Sequence, residues 1–259
     1  LTSFNSTGYT MGTYYNQSSN TYASWSWRAN GGTETTNNTG TQTSYTQTDP
    51  SGGFSIVRYA GTGSSMTVGH GLSLEPKLTI IKDRDASVNW IVYTKVIDGS
   101  LDYFFLNVHD AVGDSGLTGP NSSIWNFNSA STYSNTSGRN YIMYNFADIE
   151  GYCKVGTYLG NANADGTFVY TGFKPEFFMC KPIVTGNWRI QDIKRSPYNV
   201  ANKTLYPNHT NAEESYSSDS IDILSNGVKM RASDSNYNQA TTFVYLAMAY
   251  NPFKYATAR

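Results

Sequence analysis

The sequence predicts an all-β protein: two tandem, internally duplicated β-sandwich units of jelly-roll-like type behind an extended N-terminal segment. Three observations carry that prediction. The first is self-similarity. Tyr59, Gly61 and Pro76 recur 99 residues later as Tyr158, Gly160 and Pro175. In the same register Pro76-Lys-Leu-Thr-Ile-Ile-Lys82 answers Pro175-Glu-Phe-Phe-Met-Cys-Lys181, Asn89-Trp90 answers Asn187-Trp188, and 141–147 answers 243–249. A period near 100 residues exceeds the roughly 20–50 of solenoid repeats and suits a small domain. The second observation is a series of short apolar runs of period two, divided by Gly, Pro, Asn and Asp. No window of helical length carries a 3.6-residue apolar stripe with caps. The third is composition: the chain is 15% aromatic and only 14% charged, against a usual charged share of about 25%.

Residues 1–53 form a Thr-, Ser-, Asn- and Gly-rich segment. Within it Tyr22-Ala-Ser-Trp-Ser-Trp27 has the spacing of Tyr141, Tyr144 and Phe146 and reads as a strand, with extended loop around it. Beginning at Leu1, without Met or a charged segment followed by an apolar one, the chain is expected to be a fragment or a processed product. Residues 54–152 form the first unit. Its strands are read at 54–59, 77–82, 88–93, 101–106, 124–127 and 140–147, each short and β-branched or aromatic. Residues 153–259 form the second. About seven strands per 100 residues is the density of a sandwich, whose two sheets each bury one face.

The repeat assigns roles to rarer residues. Cys153 and Cys180 stand where the other copy has Phe54 and Ile81, so both are expected to be buried free thiols. Trp90 and Trp188 are expected to be core residues. His70, in Gly69-His-Gly-Leu72, stands opposite Thr171, which favours a hydrogen-bonding turn residue over a catalytic imidazole. His109 and His209 fall in loops, and neither an HxH nor an HExxH spacing occurs. No metal site and no cofactor is therefore expected.

Function is constrained more by what is missing. A net charge of −1 gives no basic footprint for nucleic acid or anionic lipid. No apolar run approaches the ~18 residues of a membrane-spanning helix. Seven Asn-x-Ser/Thr matches, at Asn5, Asn16, Asn37, Asn121, Asn135, Asn202 and Asn208, are expected by chance in so Asn-, Ser- and Thr-rich a chain. A glycosidase needs two carboxyls roughly 5–10 Å apart. Asp148 with Glu150, and Glu213 with Glu214, read equally well as solvated carboxylates, and no nucleophile elbow or phosphate loop is present. The chain is expected not to be an enzyme. Tyr133, Tyr216 and Tyr237 lie among Ser, Asn and Asp in predicted loops, where exposed rings can stack on sugar. They are the candidate ligand-binding residues.

Segments 54–63, 68–72, 76–82, 89–90, 141–152, 166–173, 225–231 and 247–253, in that order, resemble a repeated domain of uncharacterised function in tail-fibre and other virion proteins of marine phages, cyanophages among them. The resemblance implies a non-enzymatic, β-rich virion protein exposed on the particle. Its implied partners are other virion proteins, further copies of itself (a trimer above all), and a host-surface polysaccharide. The family carries no established site residues to transfer. The leading expectation is a tail-fibre or appendage module that recognises host glycan. The alternatives are a purely structural head-decoration or fibre-shaft protein and, behind both, a polysaccharide-degrading spike.

Overall fold

The computed structural model describes residues 2–5, 8–49, 51, 53–215, 220–233 and 237–250. The N-terminal segment contributes β1 (Ser3–Asn5), β2 (Gly8–Thr10), a 3-10 turn at Thr13–Tyr15, β3 (Thr35–Asn37) and β4 (Ser44–Asp49). Nine strands follow in the first half: β5 (Phe54–Ala60), β6 (Met66–Gly69), β7 (Leu78–Asp83), β8 (Ile91–Thr94), β9 (Asp102–Phe105), β10 (Gly113–Asp114), β11 (Gly119–Pro120), β12 (Ile124–Phe127) and β13 (Asn140–Phe146). The second half holds β14 (Cys153–Leu159), β15 (Phe168–Tyr170), β16 (Pro175–Pro182), β17 (Arg189–Asp192), β18 (Lys203–Thr204), β19 (Glu214–Ser215), β20 (Ile221–Leu224), β21 (Gly227–Met230) and β22 (Thr242–Ala249).

The chain is all-β with several antiparallel sheets. One runs β10-β9-β8-β7-β13-β5-β4-β3, and a three-stranded sheet β11-β12-β6 accompanies it. In the second half a four-stranded sheet runs β14-β22-β16-β17 beside a three-stranded β15-β21-β20. The order β8-β7-β13-β5 thus finds the same succession in β17-β16-β22-β14, and β11-β12-β6 in β20-β21-β15.

Three apolar clusters show how the sheets stack. Val57, Ile81 and Met143 of the eight-stranded sheet meet Val68, Trp125 and Phe127 of the first small sheet. Phe178, Phe243 and Ala247 of the four-stranded sheet meet Val169, Val228 and Ile223 of the second. Between the two larger sheets lie Phe54, Leu78, Phe104 and Phe146 from one side and Cys153, Phe177, Trp188 and Leu246 from the other. Strands β13 and β22 are therefore covered on both faces, which explains why 141–147 and 243–249 read as apolar runs without clean alternation.

Buried turns are built the same way in both halves. Tyr59 Oη donates to Ser134 O (2.7 Å) and Tyr158 Oη to Tyr237 O (2.8 Å). The next residues, Asn135 and Asn238, are fully buried. Asn135 Oδ1 accepts from Thr62 N–H and Gly63 N–H, and its Nδ2 donates to Ser64 O and Ser129 O. Asn238 Oδ1 accepts from Asn161 N–H, while Nδ2 donates to Asn163 O and Ala232 O. A Cβ at Gly61 would stand 2.5 Å from Thr136 O and one at Gly160 2.0 Å from Gln239 O, so the backbone approaches too closely there for any side chain. Being fully buried, Asn135 offers no glycan acceptor despite its sequon.

Several expectations meet their test in this fold. Cys153 and Cys180 are buried free thiols, and burial pushes the Cys153 thiol up. His70 is a turn residue: Nδ1 accepts from Leu72 N–H (3.2 Å), as Thr171 Oγ1 accepts from Phe173 N–H (3.4 Å). Its Nε2 lies 3.1 Å from Asn121 O, which places the ring proton there. The two tryptophans part company. Both backbone N–H groups bond an Asn side chain, Trp90 to Asn107 and Trp188 to Asn208. Trp188 is fully buried between the large sheets and donates from Nε1 to Phe105 O (2.8 Å). Trp90 is only half-buried, stacked on Tyr144 at 6.5 Å, contrary to the expectation of a core residue.

The N-terminal segment also departs from expectation. Residues 21–28 form no strand; Trp25 and Trp27 instead pack edge-on against Phe177 at 5.9 and 5.4 Å. The strands come from the stretch read as loop. Ser44 and Thr46 are the buried positions of β4, and Ser44 Oγ donates to Gly69 O. A strand whose inward residues are hydroxyls carries no apolar period to detect.

Candidate functional site

A groove of about 1140 Å³ lies between residues 21–27 and the second half. Its near wall is the strap Tyr22 to Trp27, held by the two indoles on Phe177; its floor includes Tyr152 and Met248. The far wall is the β17 turn with Glu213, and Tyr250 closes one end. Within the turn, Asp192 Oδ1 accepts from Lys194 N–H (3.0 Å) and Arg195 N–H (2.9 Å), and both residues line the groove.

Arg195 is held from every side. Nε donates to Asp192 Oδ2 (2.6 Å), Nη1 to Lys203 O (2.7 Å) and Glu213 Oε2 (3.0 Å), and Nη2 to Ile190 O (3.1 Å). Its guanidinium lies 5.5 Å from the Trp25 ring centroid. Lys194 Nζ is 3.4 Å from Glu176 Oε1 and 5.3 Å from the Tyr250 centroid. The groove thus sets rings of Tyr22, Trp25, Tyr152 and Tyr250 among fixed donors and acceptors. Aromatic faces with polar groups at their edges are suited to a ligand that has both C–H faces and hydroxyls.

The tyrosines singled out from sequence do not converge. Tyr133 is half-buried, its ring 4.7 Å from Phe105 against the first-half core. Tyr237 is fully buried in the second-half core, so it offers no face to a ligand. Asn238 beside it is fully buried as well, so a polar neighbour in sequence did not mark an exposed loop. Tyr216 lies outside the described residues. Of the carboxylates, Asp148 accepts from Val155 N–H and pairs with Lys154, capping the edge of β14. Among the described residues no cluster of three or more His, Cys, Asp or Glu side chains is arranged to hold a metal ion. The groove escaped the sequence reading because it joins residues 25, 152, 195 and 250; only the Trp25 and Trp27 pair gave a signal, and that was read as a strand.

Two perturbed groups lie elsewhere. Asp102 is buried with Oδ2 unpartnered among the described residues; burial, then Asp98 and Asp114, push its carboxyl up to about 6. Lys181 is fully buried between the large sheets, donating to Gly186 O (2.7 Å), and burial lowers its amine to about 8. Neither opens on the groove.

A family model described as a domain of unknown function, DUF7483, matches residues 1–252. The chain belongs to the DUF7483 family. The match includes the N-terminal segment as well as both halves, consistent with β3 and β4 completing the large sheet. No curated protein and no solved structure matches the chain.

Proposed function

We propose that this DUF7483 chain is a non-catalytic binding module of a phage virion appendage, and that the groove beneath the Trp25–Trp27 strap holds a host-surface glycan. The observation that carries the binding reading is the groove itself, where four aromatic rings sit among side chains already fixed by ion pairs. Pre-ordered side chains lose little entropy when a ligand arrives. The virion setting rests on the resemblance of the quoted segments to tail-fibre domains. We also infer that the two halves are copies of one sandwich, from the shared strand succession and the repeated Tyr–Asn turn. A lone chain is expected to bind weakly, with Kd near about 1 mM. Display of several copies on one particle raises avidity.

Glycan-array binding followed by titration tests the reading. Tyr250→Ala should lower affinity at least tenfold without altering the melt, Trp25→Ala should lower it as much and also lower the melt because its indole anchors the strap on Phe177, and no reducing ends should be released. Unchanged binding in both variants refutes the groove. If particles lacking the chain still adsorb to cells, the head-decoration or fibre-shaft reading replaces it; release of reducing ends would establish the polysaccharide-degrading spike.

A further inference from the structure

In the first half one side of the sandwich is closed by the chain's own N-terminal segment. β4 pairs along β5, and the residues before it meet β6. Thr41 Oγ1 accepts from Thr67 N–H (2.9 Å), Gln42 N–H donates to Thr67 O (2.9 Å), and Ser44 Oγ donates to Gly69 O (2.7 Å). By strand order β14 and β15 hold the places of β5 and β6. Among the described residues no strand covers the same side there. β14 is capped at its start by Asp148 and Ile149 and at its end by Thr167 Oγ1, which donates to Leu159 O (2.6 Å). Where the first half has Ala60, Thr67 and Gly69, the second has Leu159, Phe168 and Tyr170, exposed by 66%, 41% and 66%.

The polarity of β15 follows from its bonds. Thr167 O accepts from Met230 N–H and Thr171 N–H donates to Asn226 O, so Thr167, Val169 and Thr171 face β21. Phe168 and Tyr170 therefore point their N–H and C=O groups outward. Among the described residues only Tyr170 O has a partner there, Tyr245 Oη at 3.4 Å, which leaves a lone pair. Edge strands are normally blunted by charge, proline or a bulge, and Phe168-Val-Tyr170 has none of these.

We propose that β15 pairs antiparallel with β15 of a second copy of this chain, about a twofold axis through Val169. That register sets Phe168 opposite Tyr170 of the second copy, and the reverse. Both residues present outward N–H and C=O groups, so each pair exchanges two hydrogen bonds and the seam gains four. Opposed residues share a face, so the exposed Phe and Tyr rings become cross-strand aromatic pairs. No other occupant is needed, because the edge is complementary to itself, as a twofold interface requires. The seam is separate from the groove, and either can fail without the other.

Sedimentation across micromolar to millimolar concentration tests the pairing, with hydrogen exchange at single-residue resolution alongside. The native chain should reach twice the monomer mass, and the Phe168 and Tyr170 amides should slow as concentration rises. The double variant Phe168→Lys/Tyr170→Lys should stay monomeric with an unchanged melt. Phe168→Pro, which removes an outward N–H and the ring while breaking no bond to β21, should weaken association at least tenfold. A native chain that remains monomeric, forms a trimer as its main species, or shows concentration-independent exchange at these amides overturns the proposal. A double variant that dimerises as well as the native chain overturns it too; if that variant does not melt cooperatively, the native exchange data decide.

Discussion

Truncating Asn135 probes the buried turn before β13. Its side chain is fully buried and makes four hydrogen bonds, accepting from Thr62 N–H (2.9 Å) and Gly63 N–H (3.2 Å) and donating to Ser64 O (2.7 Å) and Ser129 O (3.0 Å). Asn135→Ala leaves four main-chain groups without that partner. Each bond contributes about 1 kcal/mol net, and water entering the space of the lost amide restores part of it, so the expected loss is about 3 kcal/mol. At roughly 2–4 °C per kcal/mol for a chain of this size, the melt should fall by roughly 6–12 °C. Asn238→Ala should lose a similar amount, and the two losses should add within about 0.5 kcal/mol because the residues share no partner. Asn135→Asp should be at least as damaging, since a carboxylate keeps the acceptor and loses both donors. Urea unfolding followed together by tryptophan fluorescence and far-ultraviolet circular dichroism measures this, with coincident transitions as the condition for using a free energy. A loss below about 1 kcal/mol at either site would refute the view that these turns are held by the buried amides.

The remaining predictions concern titration and the tryptophans. Asp102, raised from 3.8 to about 6, supports the fold fully below pH 3.8 and loses that support as pH rises through 6. Asp102→Asn should therefore stabilise the protein at pH 8, by at most about 3 kcal/mol, and bring no gain at pH 4; equal effects at both would refute the assignment. Burial lowers the pKa of His70 below its usual 6.5, so stability is complete above 6.5 and declines as pH falls toward the folded value. His70→Thr, which installs the residue of the matching turn, should remove that part of the pH dependence; an unchanged pH–stability slope would count against it. Trp188→Ala should cost about 3–5 kcal/mol, and Trp90→Ala clearly less, as measured by chemical denaturation.

Much of the fold was legible in the sequence, for physical reasons tied to particular residues. The aromatic and β-branched runs at 54–59, 77–82, 101–106, 124–127 and 140–147 coincide with strands β5, β7, β9, β12 and β13, because their side chains had to alternate between two apolar layers. Cys153, Cys180 and His70 were readable because a second copy of the pattern showed which environment each position tolerates. β3 and β4 were not, since β3 has no buried residue and those of β4 are Ser44 and Thr46. The groove was hidden because its rings and ions come from distant parts of the chain, and Tyr237 was misjudged because local polarity does not report which way a turn folds.

The sequence by itself determined the all-β class, the position of strands β5, β7, β9, β12 and β13 and the burial of the two thiols, because these follow from local periodicity and from residue volumes that recur. Only the tertiary structure decided the rest. Stacking the large sheets buries Trp188 completely and leaves Trp90 half-covered, though both stand in the same local motif. Pairing 35–49 along the sheets of the first half and not those of the second leaves Phe168 and Tyr170 exposed. These outcomes depend on which surfaces meet across space, and a free energy of burial belongs to the pair of surfaces in contact, not to either stretch of sequence alone.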